Sequence, residues 1–217
     1  MRLLTSSNWV TLVLVAGAIT ILFLLSGRFL TTPGDSEQSN TVTEQEWDAL
    51  RTEGYRIGEE DAQVQVVLFA DMDCPFSAEA YHYLMDELEQ RDGKVALLYR
   101  HLTWIDESSR GFEAGQAAQC AAKQGDFFAS FVNAAYTYRS IYESRNWIQL
   151  AERAGLEKRP FENCLSARRD SARVARDIQR AHDLGFMMTP TIVVQGNVYK
   201  GANALPAVGE LITAQLE

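Results

Sequence analysis

Cys74-Pro75-Phe76-Ser77 places a thiol and a hydroxyl three positions apart, with a proline directly after the thiol. As a thiolate, such a sulfur attacks a disulfide and becomes joined to it in a mixed disulfide. Two thiols at this spacing could take up and return two electrons within one site. With Ser77 in the second position, a thiol from elsewhere must resolve the bond. The segment follows the apolar run Val64–Ala70 and opens a helical pattern from Phe76 to Arg91. Cys74 is therefore expected at a helix N-terminus, where unpaired N–H groups and the helix dipole favour the thiolate. One turn along, the Ser77 hydroxyl could donate a hydrogen bond to that thiolate. Asp71 and Asp73 would oppose the charge and read as turn residues. The competing reading of Cys74 is a buried, inert sulfur.

The elements that must hold this segment follow from periodicity. Val64–Ala70 is short, apolar and rich in valine, as expected of a strand buried on both faces. The next helix has apolar positions Phe76, Ala80, Tyr83, Leu84 and Leu88, and Asp92-Gly93 ends it. Val95–His101 reads as a second strand, completing a βαβ unit with a parallel pair. From about Glu113 to Gly185 the pattern is helical: an alanine-rich stretch over Gln116–Tyr136, a short helix over Trp147–Ala154, and a third over Ser171–Leu184 capped by Gly185. Strands return at Thr191–Val194 and Val198–Lys200, with Gly196-Asn197 as the hairpin turn. Leu205–Leu216 is a closing helix. Gly58–Ala62 has the composition of a turn into the first strand.

The chain begins differently. Trp9–Leu25 is almost wholly apolar, long enough to cross a bilayer. Ala16-Gly17-Ala18 resembles a signal-peptide cleavage site, but Ile19–Leu25 continues apolar beyond it, which favours an uncleaved anchor. Arg2 and the amino terminus precede the span and Arg28 follows it, a bias of one charge toward a cytoplasmic N-terminus. Residues 1–30 are thus expected to be a membrane anchor, 31–46 a flexible polar linker, and 47–217 the domain.

Of the 20 basic residues two precede residue 31, and all 29 acidic ones follow it, so the remainder carries −11. That excludes a phosphate backbone as the natural partner, and no nucleic acid is expected. His82, His101 and His182 have no ligand-like spacing to one another or to cysteines, so neither a metal nor a cofactor is expected. Arg169, Arg173, Arg176 and Arg180 share one helix face with Asp170 and Asp177 interleaved, a solvated charged face. Tyr136, Tyr138, Tyr142 and Trp147 read as core and loop packing. Three cysteines allow one pair and leave one over; spacing alone does not choose among 74–120, 74–164 and 120–164.

The strand–helix–strand order, the helical block and the strand–strand–helix ending make an α/β thioredoxin fold with a helical insertion at about 103–186. The chain resembles the DsbA-like disulfide oxidoreductases of bacterial envelopes from Trp47 to Glu217. The likeness is carried by Gly58–Val64, Phe69-Ala-Asp-Met-Asp-Cys-Pro-Phe76, Gln119-Cys-Ala-Ala-Lys-Gln-Gly125, Phe161-Glu-Asn-Cys-Leu165 and Leu184-Gly-Phe-Met-Met-Thr-Pro-Thr191. The resemblance implies that Cys74, Ser77 and Pro190 form the catalytic group. It also implies that Thr189-Pro190 is a cis-proline loop which, with Pro75 and Phe76, receives a substrate chain in strand-like fashion. Cys120 and Cys164 would form a structural disulfide, closing a loop of about 45 residues and stabilising by roughly 3–4 kcal/mol. Two departures stand out: Ser77 replaces the resolving cysteine, and Leu68 stands where the family carries a buried acid.

The expected function is thiol–disulfide exchange on exported proteins through a mixed disulfide at Cys74, of isomerase or monothiol type. Its partners would be thiol- or disulfide-containing proteins and small thiols such as glutathione. The domain would be anchored in the inner membrane, facing the periplasm or the cell exterior. The alternative is a catalytically retired binding or assembly module at the membrane.

Overall fold

The computed structural model describes residues 41–167 and 171–217. The anchor expected over 1–30, most of the linker, and Arg169 and Asp170 of the arginine face lie outside the described residues. Among the described residues no helix is long and apolar enough to cross a membrane.

The tether expected to run to Glu46 ends earlier. Helix α1 spans Glu44–Thr52, opened by a capping box in which Thr43 and Glu46 satisfy each other's backbone N–H groups. A short edge strand, β1 (Tyr55–Ile57), follows, and β2 (Val64–Ala70) is buried on both faces as expected. Helix α2 (Pro75–Gln90) leads to β3 (Val95–His101), which pairs with β2 in parallel. The insertion holds five helices among the described residues: α3 (Arg110–Ala122), α4 (Phe127–Thr137), α5 (Arg139–Glu143), α6 (Trp147–Arg153) and α7 (Lys158–Ser166). Helix α8 (Ser171–Asp183) returns the chain to the sheet. Strands β4 (Thr191–Val194) and β5 (Asn197–Lys200) then lead to α9 (Leu205–Leu216). The five-stranded sheet runs β1-β3-β2-β4-β5, with β2 flanked by parallel β3 and antiparallel β4. This is the α/β thioredoxin architecture with its helical insertion.

Alternate residues of the strands serve two cores. Val66, Leu68, Leu97, Tyr99 and Ile192 pack with Ala80, Tyr81 and Leu84 of α2 and Val208 and Ile212 of α9. Val67, Phe69, Leu98 and Val193 pack on the other side with Leu50 of α1, Ala181 of α8 and Phe186. The insertion extends the first core through Phe128, Phe131 and Phe161, and the Cys120–Cys164 disulfide ties α3 to α7 with an S–S distance of 2.07 Å.

Several sequence expectations need correction. The alanine-rich stretch is two helices, broken where Gly125 takes φ +105° between α3 and α4. The hairpin turn sits one residue earlier, at Gln195-Gly196, both with positive φ, because Asn197 already pairs with Val194. Phe76 is not on the apolar face of its helix: it is 59% exposed. Asp177 is not part of a solvated face but is buried against Arg100 of β3, whose Nε donates to its Oδ1 at 2.9 Å.

Candidate active site

The loop from β2 into α2 positions Cys74. Met72 is buried and anchors the loop, and the Asp71 carboxylate accepts the Asp73 N–H at 2.9 Å, the side-chain turn that aspartate makes before a helix. The Cys74 N–H donates to the Asp71 carbonyl at 3.0 Å. Cys74 is the N-cap of α2, and Pro75 takes the first helical position, where its missing N–H costs nothing. The Cys74 thiol is partly exposed and free, and it lies 3.7 Å from the Thr189 carbonyl oxygen, to which it can donate. The Thr189–Pro190 peptide bond is cis. Its loop is fixed by the Thr191 hydroxyl on the Met188 carbonyl at 2.7 Å and by the Gly201 N–H on the Pro190 carbonyl at 2.8 Å. Residues 115 apart in the chain thus meet at one sulfur.

Asp73, read as a turn residue, does more. Its Oδ1 accepts from Arg110 Nε and Nη2 at 3.0 and 2.7 Å and from Arg139 Nη2 at 3.4 Å. Arg139 Nη1 also donates to the Met72 carbonyl at 2.7 Å. Both guanidinium groups lie over the Tyr142 ring, 5.5 and 4.4 Å from its centroid. The insertion therefore grips the residue immediately before Cys74 with two cations stacked on an aromatic face. Neither arginine stands out in the sequence, because each is defined by a partner in a distant element.

Ser77 is turned inward. It is wholly buried, and its oxygen accepts the Asp71 N–H at 3.3 Å. The hydroxyl expected to serve the thiolate instead braces the loop from below. Leu68 is also wholly buried, paired in register with Tyr99 and Ile192. Under the loop, Tyr99 and Tyr136 share a hydrogen bond of 3.2 Å, and burial pushes both phenols well above their ordinary range. Burial likewise raises the Asp71 carboxyl, against the Asp73 N–H, the Thr103 hydroxyl and the Arg110 charge, which lower it.

Beside Thr189 opens a cleft of about 410 Å³, walled by Leu102, Trp104, Ile105, Met187 and Met188, with Asp71 and Thr103 on its inner side. Trp104 is 81% and Met187 75% exposed. Of the sequence-derived site, Cys74, Thr189 and Pro190 come together, Pro75 and Phe76 lie exposed beside them, and Ser77 is withdrawn. The cleft residues were missed. Their signal was two apolar pairs, Trp104-Ile105 and Met187-Met188, in loops rather than in periodic elements.

A cysteine capping the helix of a βαβ unit, opposite a cis-proline loop, defines a thioredoxin-fold protein with a helical insertion. The family model described as Thioredoxin matches residues 51–214, and the chain belongs to that family. Among solved structures, the thiol-disulfide exchange protein alpha-DsbA2 of Wolbachia pipientis superposes with a TM-score of 0.68 at 17% identity. That match covers 78% of this chain and 91% of that one. A thioredoxin-like oxidoreductase from Silicibacter pomeroyi gives 0.64 at 24% identity, over 77% and 97%. Among curated proteins, the Na(+)/H(+) antiporter NhaA 3 of Salinispora tropica is 28% identical over 155 residues, 71% of this chain. The chain spans about a quarter of the length of such relatives: 24% of that antiporter and 24% of NhaA 1 from Mycobacterium sp. strain KMS.

Proposed function

We propose that this chain catalyses thiol–disulfide exchange through a mixed disulfide at Cys74, without net oxidation. The observation that carries the reading is the partly exposed Cys74 thiol at the open end of α2, 3.7 Å from the carbonyl of the Thr189–Pro190 loop. In the first step the Cys74 thiolate attacks one sulfur of a substrate disulfide. A bond from Cys74 to that sulfur forms, the substrate S–S bond breaks, and its other sulfur leaves as a thiolate. In the second step a thiolate from a different cysteine of the substrate, or a small thiol such as glutathione after losing its proton, attacks the substrate sulfur; a new disulfide forms, the bond to Cys74 breaks and Cys74 leaves as a thiolate. Electrons balance within each step, so disulfides are rearranged or passed on. Ser77 and Leu68 support this limit. The resolving position holds a buried hydroxyl that accepts the Asp71 N–H, and position 68, in the first core, holds a hydrocarbon.

The substrates are exported proteins with thiols or disulfides, and the domain is held at the membrane by residues 1–30, facing the periplasm or exterior. The Cys120–Cys164 bond supports an oxidising compartment, and relatives in which a similar stretch forms about a quarter of an antiporter support work beside a membrane. A scrambled two-disulfide substrate, supplied with catalytic glutathione, tests the reading. The parent chain regains native substrate with no net loss of thiols and Cys74→Ala does not. Equal recovery with Cys74→Ala would leave a retired binding module as the better account.

A further inference from the structure

The cleft beside Thr189 is apolar over most of its wall, yet one carboxyl reaches it, that of Asp71. Nearby cations are engaged elsewhere. Arg110 of α3 is bound to Asp73, and Arg139 of α5 to Asp73 and the Met72 carbonyl. Asp71 has no ion pair among the described residues. It faces the Thr103 hydroxyl from the loop after β3 and, from the strands and insertion, the uncharged phenols of Tyr99, Tyr136 and Tyr142. Ser77 of α2 meets its backbone, and the exposed His182 of α8 also lines the cleft. In the chain, Ile105 is followed by two exposed acids, Asp106 and Glu107. Gly111 secures this arrangement: a β-carbon there would collide with the Thr103 hydroxyl and the Asp71 carboxylate together. A carboxylate on an apolar wall, with the Arg110 charge nearby but committed to Asp73 and no ion pair of its own among the described residues, is complementary to a positive side chain whose stem is hydrocarbon.

We propose that the cleft receives an extended segment of the protein substrate carrying a lysine or arginine within a few residues of the cysteine that joins Cys74. The stem of that residue lies on Trp104, Met187 and Met188, and its charged head meets Asp71. This assignment of substrate class rests on the exchange reading above. It also sets a pH dependence. Burial holds the Asp71 carboxyl above the ordinary carboxylate range, so the preference for a cation fades on acidification sooner than an exposed aspartate would allow.

The test uses three cysteine peptides, each activated as a disulfide with a chromogenic aromatic thiol and differing at one position three residues before the cysteine: lysine, norleucine or glutamate. Capture forms the bond to Cys74 and expels the aromatic thiolate, whose absorbance is followed with the full-length chain in detergent. The lysine peptide is captured about tenfold faster than norleucine, equivalent to about 1.4 kcal/mol, and the glutamate peptide more slowly than either. In Asp71→Asn, which keeps an oxygen for the Asp73 N–H, the lysine-to-norleucine ratio falls to about one. Equal rates for lysine and norleucine in the parent chain, or an unchanged ratio in Asp71→Asn, would overturn the proposal. Fluorescence anisotropy of the same peptides, with serine for cysteine, on the Cys74→Ala chain reads the cleft without exchange. A lysine preference there upholds the specificity even if no peptide is captured, in which case only the exchange reading falls. Its absence overturns the specificity.

Discussion

Replacing Asp177 by asparagine should destabilise this protein by about 3 kcal/mol, because it leaves a buried guanidinium short of a counter-charge. Arg100 projects from β3 and is 2% exposed. Its Nε and Nη2 meet Asp177 Oδ1 at 2.9 and 2.8 Å, and the second carboxylate oxygen accepts the His101 N–H at 3.2 Å. Among the described residues the other ion-pair partner of Arg100 is Glu53, at 3.0 Å from Nη1 but 58% exposed and so well screened by water, and the guanidinium also lies over the Phe69 ring. Removing one member of a buried pair costs about 3–5 kcal/mol. Asparagine keeps one acceptor oxygen and Glu53 stays, which places the expected loss at the lower end. For a domain of this size each kcal/mol lowers Tm by roughly 2–4 °C, so a fall of about 6–12 °C is expected. Urea unfolding followed by far-UV circular dichroism reads it as a lower midpoint with an unchanged slope. The double replacement Arg100→Met with Asp177→Leu removes both charges and should recover most of the loss. A single variant within about 1 kcal/mol of the parent, or a double variant weaker than the single, would refute the reasoning.

Stability should also fall with acidity through His101. Burial pushes this imidazole down from 6.5 to about 4, so the unfolded chain binds a proton that the folded chain refuses. Its contribution is complete above pH 6.5 and is lost as pH falls toward 4, by up to about 3 kcal/mol; His101→Gln should flatten the urea midpoint over that window. Replacing Cys120 and Cys164 together by alanine should cost about 4 kcal/mol, from release of the loop spanning 44 positions, measured by the same unfolding assay against the parent. Ser77→Cys should turn the site into a dithiol that oxidises reversibly and transfers two electrons to a reduced substrate peptide. A variant that keeps both thiols free under oxidising conditions would show that the inward orientation of residue 77 keeps the two sulfurs apart.

Local signals carried the fold a long way. The runs Val64–Ala70 and Val95–His101 are strands because both faces are covered, and that condition shows as runs apolar at all positions but Gln65, Arg100 and His101. The Thr43–Glu46 capping box is written in the sequence at its proper spacing, yet the polar stretch around it reads equally well as tether until Leu50 is seen packed under the sheet. Strand β1 has three residues, too few for a periodicity, and exists because Tyr55 and Ile57 pair with β3. Phe76 satisfies a helical spacing and still points to solvent, since helix α2 begins there before any element covers it. At the site, Cys74 and Thr189-Pro190 were legible from motif. The Arg110–Asp73–Arg139 grip, the Arg100–Asp177 pair and the Asp71 cleft were not, because each joins residues more than 30 positions apart and leaves no local pattern.

The central claim, that Cys74 forms a covalent bond to substrate sulfur, is tested most directly by mass spectrometry of the full-length chain after brief exposure to a disulfide-bonded peptide and an acid quench. The account predicts one peptide adduct per chain, removed by reductant, mapping to the fragment that contains Cys74 and absent from Cys74→Ala, with Cys120 and Cys164 still joined to each other. No adduct on Cys74, or an adduct that persists in Cys74→Ala, would contradict it.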